Sequence, residues 1–466
     1  MHPADTIVLV AFLAASVGLG LLFRRRREDA SEFHLAGRAL RWWPLGFSVA
    51  ATLFSAINFT AFSGEVARYG LYVALSLPAF PLVAIPVVRW IIPFFHAHRS
   101  ASAYAFLEER FDRRVRQLAS ALFVLWRLAW VAITLYATAR FLGGIVPWPE
   151  PALILVLGGL ALLYTVRGGL RAVVWTDVLQ FGALCGGLAL AIGVATARVG
   201  GLRALFALTA EQGALRPFFP FDPAALSPDP RLRITFWSAL IGSLVAFLAR
   251  YGADQMVVQR YMAAPTVRDA QKGFLLNIGL ALLALVGLVF VGLLARAPGA
   301  MDAPLPATGI ARLVLFVRSL PPGAQGLLIA GLLASTMSSA DSGLHSCATA
   351  LSNDFVFFHA MRPGRIALLI GLPAIAAACF AGRLGSIFEI ANKVVNGLGA
   401  PLLAIVACGV WPARLTARGV FAGGIVGAVA SGAVVLFVPD LALHYYAVVN
   451  TLLVLALCRL FSRFSA

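Results

Sequence analysis

Six hydroxyl side chains recur at helical spacing within one apolar stretch of the chain's second half. At about 100° per residue they fall within roughly 100° of arc on one helix face; they are Ser335, Ser338, Ser339, Ser342, Ser346 and Thr349. Such a stripe could serve close helix packing. We favour a hard-cation site, since these ions need several oxygen ligands. The adjacent hydroxyls of Ser338 and Ser339 can both reach one ion, and the Ser335 carbonyl would complete that side.

A second unusual stretch, residues 48–64, is too rich in small and hydroxyl residues to form a stable helix throughout. If the helix is interrupted there, the carbonyls of Ala51 and Phe54 become available to a cation. The same interruption would present Asn58 to a small-molecule solute. Composition alone leaves an interrupted and a continuous helix equally open.

Isolated charges also occur inside apolar runs, where ionisable groups are costly and are therefore candidates for function. Asp177 and Asp341 are two acidic examples, and Arg127 lies between Trp126 and Trp130 with no local partner. A planar, permanently charged guanidinium suits a carboxylate. We therefore expect Arg127 to face a cavity or another helix and to contact an anionic solute.

Two further charges, Glu389 and Lys393, lie four residues apart in another apolar run. A self-neutralising pair on one helix is the simpler interpretation of this spacing.

The elements that position these residues must lie in lipid. Of 466 residues, 61% are hydrophobic and 12% are charged, against about 45–50% and about 25% in a soluble globular protein. The formal net charge of +17 would suggest nucleic acid in a soluble chain, but this apolar content excludes that class. It also excludes a disordered chain, a secreted disulfide scaffold and an ordinary cytosolic enzyme.

Thirteen apolar runs are long enough to be candidate spans, since a bilayer core of about 30 Å needs about 20 residues of helix. The fold class is therefore an all-α, polytopic membrane protein in contact with membrane lipid. The five cysteines lie in or beside these runs without metal-ligand spacing, so we interpret them as buried free thiols.

The distribution of basic residues predicts the orientation of the chain. The first apolar run, 5–23, is followed directly by the four arginines at 24–27, which places its C-terminal end in the cytoplasm. Alternating from there, the inner segments carry about twice as many Lys and Arg residues as the outer ones. We therefore predict a multi-pass protein of the plasma (cell inner) membrane, with its N-terminus outside and its C-terminus in the cytoplasm.

The number of spans predicts an internal repeat within a single domain, 1–466. Five spans precede the long outer loop and five follow it, so the second set starts from the opposite side, as in transporters built from inverted repeats. We place repeat one at about 43–198 and repeat two at about 233–411. An extra helix at about 5–23 precedes them, and two C-terminal helices occupy about 417–462.

Four segments together resemble the sodium/solute symporter family: residues 163–180, 106–111, 253–264 and the serine-rich stretch. Their order and spacing hold from about residue 5 to residue 460. The resemblance implies a leucine-transporter-like fold of five-plus-five inverted repeats, with Na⁺ as the coupling ion.

The resemblance also implies which residues bind the ion. By position, the sodium ligands would be the carbonyls of Ala51, Phe54 and Ser335 and the hydroxyls of Ser338 and Ser339. Some relatives bind a further sodium nearer the cytoplasm, and the matching positions here are Asp177, Asp341 and Ser342. The family pattern predicts a hydroxyl where this chain has Asp341, so the ion count and any role for a proton stay open.

For the solute, the resemblance is closer to the monocarboxylate, vitamin and anion branch than to the sugar carriers. Leu77 and Phe80 stand where sugar carriers place a Glu and a Ser, although Ser76 is one residue away. The solute-binding candidates are Asn58, Arg127, Arg250, Asn392 and Lys393.

The function expected is sodium-coupled import of a small organic solute, a carboxylate or other small anion, by alternating access. The alternatives are symport of a neutral sugar or amino acid and a non-transporting membrane sensor of the same fold. An enzyme is not expected, because no nucleophile–base or metal constellation occurs. No nucleic-acid partner is expected, and the sequence does not indicate an oligomeric state.

Overall fold

The computed structural model describes residues 2–22, 30–98, 100–297, 306, 308–384, 387–411, 414–438 and 440–464. Over these residues every regular element is a helix, and the one β-type pairing is an isolated bridge between Phe218 and Phe221. The arginines at 24–27, which set the predicted orientation, lie outside the described residues.

The first half of the chain forms helices α1 (Pro3–Leu22), α2 (Ala30–Leu35), α3 (Trp42–Leu53), α4 (Ser63–Tyr69), α5 (Ala79–Pro86), α6 (Ile92–Ala97), α7 (Ala105–Arg110), α8 (Arg113–Leu142), α9 (Glu150–Val199) and α10 (Leu202–Glu211). Wider π turns lie at Asn58–Phe62 and Val87–Ile91, and 3₁₀ turns at Ala36–Arg38 and Leu71–Ser76. Helix α9 is interrupted at Gly169, whose φ of 63° lies in the left-handed region.

The second half forms α11 (Ser243–Gly252), α12 (Gln255–Met262), α13 (Val267–Leu294), α14 (Gly309–Arg318), α15 (Ala324–Asp354), α16 (Val356–His359), α17 (Pro363–Ala378), α18 (Ile387–Val394), α19 (Ala400–Val410), α20 (Ala417–Phe437) and α21 (Tyr445–Phe464). Wider π turns occupy Ser238–Gly242 and Val395–Gly399, and 3₁₀ turns occupy Pro223–Leu226 and Ala381–Leu384.

These helices confirm the all-α membrane fold class. In the described part of the chain, nine helices are long and apolar enough to cross a membrane, or ten if one bent pair counts as a span. Three shorter apolar helices, Glu150–Leu163, Ser238–Gly252 and Pro363–Ala378, lie where three more spans were predicted. The count of thirteen and the repeat boundaries stay predictions.

Of the two possibilities left open for residues 48–64, the structure has the interrupted helix. The segments Trp42–Leu53 and Asn58–Tyr69 meet at an angle of 59°. Phe54, between them, has an extended backbone with φ −96° and ψ 103°. A second broken helix, which the sequence analysis did not predict, consists of α11 and α12 and is interrupted at Ala253 and Asp254.

Helix α15, which carries the serine stripe, is the central helix of the bundle. Of the 18 residues in its most apolar stretch, 94% are buried inside the protein. The helix packs most extensively against α9 and next against α8. Two glycines allow α9 to approach closely: a Cβ on Gly187 would lie 2.9 Å from the Leu327 carbonyl oxygen, and one on Gly331 would lie 2.8 Å from the Leu184 Cα. Small residues at this contact follow the general rule for membrane helices.

Helix α1 holds the N-terminal end of α15. The buried carboxylate of Asp5 accepts hydrogen bonds from the main-chain N–H groups of Gly323, at 2.7 Å, and Gly326, at 2.8 Å. An acidic group at a helix N-terminus satisfies orphan donors and complements the helix dipole.

The α9–α15 contact can be tested with two neighbouring glycines. We expect Gly187→Ala to destabilise the protein by about 1–3 kcal/mol, because the added methyl group overpacks against α15. Gly186→Ala is the matched control, since a Cβ there meets nothing within 4 Å. Thermal unfolding of the purified protein measures both, and equal midpoints for the two variants would contradict the close contact.

Candidate functional site

The interruption after α3 leaves main-chain carbonyls without their usual helical donors. The Ser55 N–H, which a continuous helix would direct to Ala51, instead donates to Asn58 Oδ1 at 3.0 Å. The Asn58 N–H donates to the Ser55 carbonyl at 2.9 Å and so does not reach Phe54. The carbonyls of Ala51 and Phe54 therefore lack their usual helical donors, and both residues are buried.

The serine stripe lies against this interruption. Ser339 Oγ donates to the Thr52 carbonyl at 3.2 Å, which joins α15 directly to the end of α3. Ser338 Oγ donates elsewhere, to Asp177 Oδ1 at 2.5 Å. The two adjacent hydroxyls thus have different partners, whereas the sequence analysis expected both to face one point. Ser335 Oγ is bonded within its own helix, to the Leu332 carbonyl at 2.8 Å.

The predicted second cation position contains a buried guanidinium that the sequence analysis missed. Arg260, 1% exposed, pairs with the fully buried Asp177 at 3.2 Å. Its nitrogens also donate to the hydroxyls of Ser48, Thr52 and Ser342, each at 2.7 Å. Its place in the largely apolar 253–264 segment was the available signal in the sequence.

Two of the three residues predicted for that second position therefore meet around Arg260. Asp177 also accepts from Ser48 Oγ at 2.5 Å, and Ser342 also bonds Thr52 Oγ1 at 2.9 Å. Asp341, fully buried, accepts from the Ser342 N–H at 2.5 Å. The Arg260 guanidinium therefore occupies the position that the sequence analysis predicted for a second cation.

Of the two surroundings expected for Arg127, a cavity or another helix, the structure has the second, and the Arg127 charge is already paired there instead of being free for an anionic solute. Arg127 forms an ion pair of 2.9 Å with Asp254, and both side chains are almost completely buried. Asp254 caps α12 by accepting from the Met256 N–H at 3.0 Å. Because the two residues are 127 positions apart in the chain, their meeting depends on tertiary packing.

Arg250 is the guanidinium that faces open space. It lines a cavity of about 130 Å³ together with Asn58 and Asn392. It packs over the Trp130 ring at 5.3 Å, and it forms no ion pair or hydrogen bond with the described part of the chain. Lys393 is not among the described residues that line this cavity. The structure thus brings together three of the five predicted solute-binding residues.

A wider cavity of about 1030 Å³ adjoins this one and shares Ala61 and Phe388 with it. Its wall contains an ion-pair network in which Arg233 contacts Glu65 at 2.8 Å and Glu389 at 4.0 Å. The network connects α4 and α18 through the segment that precedes α11. Glu389, for which the sequence predicted a pair with Lys393 on its own helix, thus reaches a charge from another part of the chain.

Comparison with known proteins gives matches over most of the chain. A family-level sequence model described as the sodium:solute symporter family matches residues 33–427. The sodium/sialic acid symporter NanT of Aliivibrio fischeri is 29% identical over 96% of this chain and 90% of its own length. The human sodium/iodide cotransporter is 28% identical, over 90% of this chain and 67% of its own length.

Two further similarities concern a third relative and a solved structure. The sodium-coupled monocarboxylate transporter 2 of Bos taurus is 26% identical, over 91% of this chain and 71% of its own length. A Na⁺-coupled sialic acid symporter, solved in a substrate-bound outward-open state that revealed a novel Na⁺ site, superposes with a TM-score of 0.87. That match has 25% identity and covers 100% of this chain and 98% of the other.

A structural role for Arg127 can be tested by removing its charge alone and then together with the charge of Asp254. We expect Arg127→Met to destabilise the protein by about 3–5 kcal/mol, because it leaves a buried carboxylate unpaired. Adding Asp254→Leu should restore much of the loss, since removing both charges of a buried pair is often nearly neutral. Thermal unfolding without solute measures this, and a double variant no more stable than Arg127→Met would contradict the assignment.

Proposed function

Because this chain belongs to the sodium:solute symporter family, we propose that the solute it imports with Na⁺ is a small carboxylate or other small anion. The observation that carries the proposal is Arg250, a guanidinium that forms no ion pair or hydrogen bond in the described part of the chain and lines the cavity beside the α3 interruption. An ionised group in such a place needs a counter-ion, and a bound anion supplies it.

The names of three relatives specify an anionic solute, and this agrees with the positive charge of Arg250 in the cavity. The relatives are described as symporters of sialic acid, iodide and monocarboxylates. The cavity beside Arg250, about 130 Å³, is well below the 300–1,000 Å³ typical of sites for drug-sized ligands. Phe80 lines it and packs on Phe247 at 4.2 Å between ring centroids. A small, partly apolar carboxylate suits these walls better than a polyol.

The wide cavity supports the same substrate charge. Arg68, Arg140 and Arg318 line it, in addition to Arg233. The acidic residues on its wall, Glu65, Glu150 and Glu389, are fewer. A cleft with excess positive charge raises the local concentration of anions and speeds their entry.

For the ion, we propose the carbonyls of Ala51, Phe54 and Ser335 and the hydroxyls of Ser338 and Ser339 as sodium ligands. The support is the loss of the helical donors to Ala51 and Phe54 and the contact of Ser339 with Thr52. In this proposal Ser338 rotates from Asp177 to the ion when Na⁺ arrives. Since the ion would join α3 to α15, its binding would couple to any movement that separates these helices.

A second Na⁺ at Asp177, Asp341 and Ser342 would have to compete with Arg260. The guanidinium already neutralises Asp177 and bonds Ser342. We therefore propose that tight coupling involves one Na⁺, and that a further ion enters this position only when Arg260 moves away. The positive charge supplied by Arg260 would otherwise repel it.

We also propose the orientation that the basic residues indicate, with the N-terminus outside and the C-terminus in the cytoplasm. In this orientation the wide cavity faces outward. Its wall includes Glu65 on α4, which follows the α3 interruption, and Arg318 at the end of α14. A solute would then pass from the wide cavity to Arg250.

The anion role of Arg250 can be tested in proteoliposomes. We expect Arg250→Gln to raise the KM for Na⁺-driven uptake of lactate and propionate by at least roughly tenfold, because hydrogen bonds to a charged group are strong. The exposed Arg89 provides a matched control, since Arg89→Gln removes the same charge at the periphery. Unchanged uptake by Arg250→Gln, or equal uptake by wild type in sodium and choline, would contradict the proposal.

The sodium site can be tested separately from transport. We expect Ser339→Ala to weaken the rise in unfolding temperature that Na⁺ produces, because a ligand of the folded state is lost. Ser352→Ala is the control on the same helix, where the hydroxyl bonds only the Thr349 carbonyl and a neighbouring side chain. If Na⁺ raises the unfolding temperature of both variants equally, Ser339 is not a sodium ligand.

A further inference from the structure

The segment between α20 and α21 contacts the helices that form the solute cavity, although it lies outside both predicted repeats. The Ala442 N–H donates to the Pro230 carbonyl at 2.7 Å, and Asn396 Nδ2 donates to the Leu443 carbonyl at 3.2 Å. Gly242 approaches the His444 main chain so closely that a Cβ would overlap its carbonyl. The segment is therefore fixed against both π turns, Ser238–Gly242 and Val395–Gly399.

This contact places the His444 side chain at the cavity that holds Arg250. His444 lines the cavity together with Arg250, Asn58, Ser243 and Asn392. Its Nε2 is buried and has no hydrogen-bond partner in the part of the chain that the structure describes. A buried polar atom without a partner is energetically costly. The imidazole is thus placed to bond a molecule in the cavity.

The charge state of His444 suits a solute that Arg250 has already neutralised. Burial, with a smaller contribution from the nearby Arg233 guanidinium, lowers the pKa of His444 to about 4. The ring is therefore neutral near pH 7, and a neutral imidazole has one N–H donor and one acceptor nitrogen. It can bond a hydroxyl or keto group without adding a second full charge to the site.

We propose that His444 contacts the solute and determines specificity, so that the transporter prefers small carboxylates with a second hydrogen-bonding group. This inference rests on the proposed function: Arg250 binds the carboxylate, and His444 bonds the hydroxyl or keto oxygen. A site built for such a bond discriminates against the analogue that lacks it, because its polar atom is then left unpaired. A residue outside the repeats would thus contribute directly to solute selection.

Lactate and propionate form a matched pair for the test, because they differ by one hydroxyl group. Na⁺-driven uptake of each is measured in proteoliposomes for wild type, His444→Ala and His444→Gln. We expect wild type to prefer lactate, and His444→Ala to raise the KM for lactate by roughly tenfold while the KM for propionate changes little. His444→Gln should retain part of the preference, since an amide can still donate and accept. His359→Ala, at an exposed position, is the control.

The outcomes separate this inference from the proposed function. If Arg250→Gln loses uptake of both acids and His444→Ala keeps the wild-type preference for lactate, the role of His444 is overturned and the anion site stands. If wild type transports neither acid, the proposed substrate class is wrong and the inference falls with it. The rise in unfolding temperature with Na⁺ verifies that each variant is folded. If His444→Ala fails this check, a partial loss of preference in folded His444→Gln supports the role, and full wild-type preference overturns it.

Discussion

The buried pair between Asp177 and Arg260 is the interaction on which the rest of the site depends. It lies among four helices, because Asp177 belongs to α9, Arg260 to α12, and the hydroxyls around them to α3 and α15. In a dry interior a lone charge is very costly, so each of these helices is held where the charges stay paired and hydrogen-bonded. That arrangement sets the distance between the α3 interruption and the serine stripe, and thereby the geometry of the proposed sodium site.

The serine stripe serves packing and, in our proposal, ion binding at the same time. Thr336 bonds Thr138 of α8 at 2.6 Å, Ser346 bonds Gln259 at 3.1 Å, and Thr349 bonds His34 at 3.0 Å. These contacts join α15 to a different neighbour at successive turns, as polar residues do in membrane bundles. Ser338 and Ser339 differ because they meet a carboxylate and a main-chain carbonyl, which are oxygen ligands suited to a hard cation.

The two arginines beside Trp130 show how tertiary contacts divide roles between similar residues. Arg127 lies over the Trp126 ring at 4.1 Å and is neutralised by Asp254. Arg250 lies over the Trp130 ring on the cavity side, without an acidic partner in the described residues. A paired guanidinium stabilises the bundle, whereas an unpaired one attracts an anion. Only the second arrangement favours solute binding, and His444 adds a neutral polar group to the same cavity.

The sequence by itself determined the membrane fold class, the serine stripe and the family. These features depend on composition, helical periodicity and short motifs, which are local properties of the chain. Tertiary structure alone decided which charges are paired. Arg127 and Asp254, or Asp177 and Arg260, are distant in sequence, and no local pattern states which side chain will neutralise which. It also decided that a segment after the predicted repeats reaches the cavity beside Arg250. Pairing and cavity walls depend on the distances between helices, and those distances exist only once the bundle has packed.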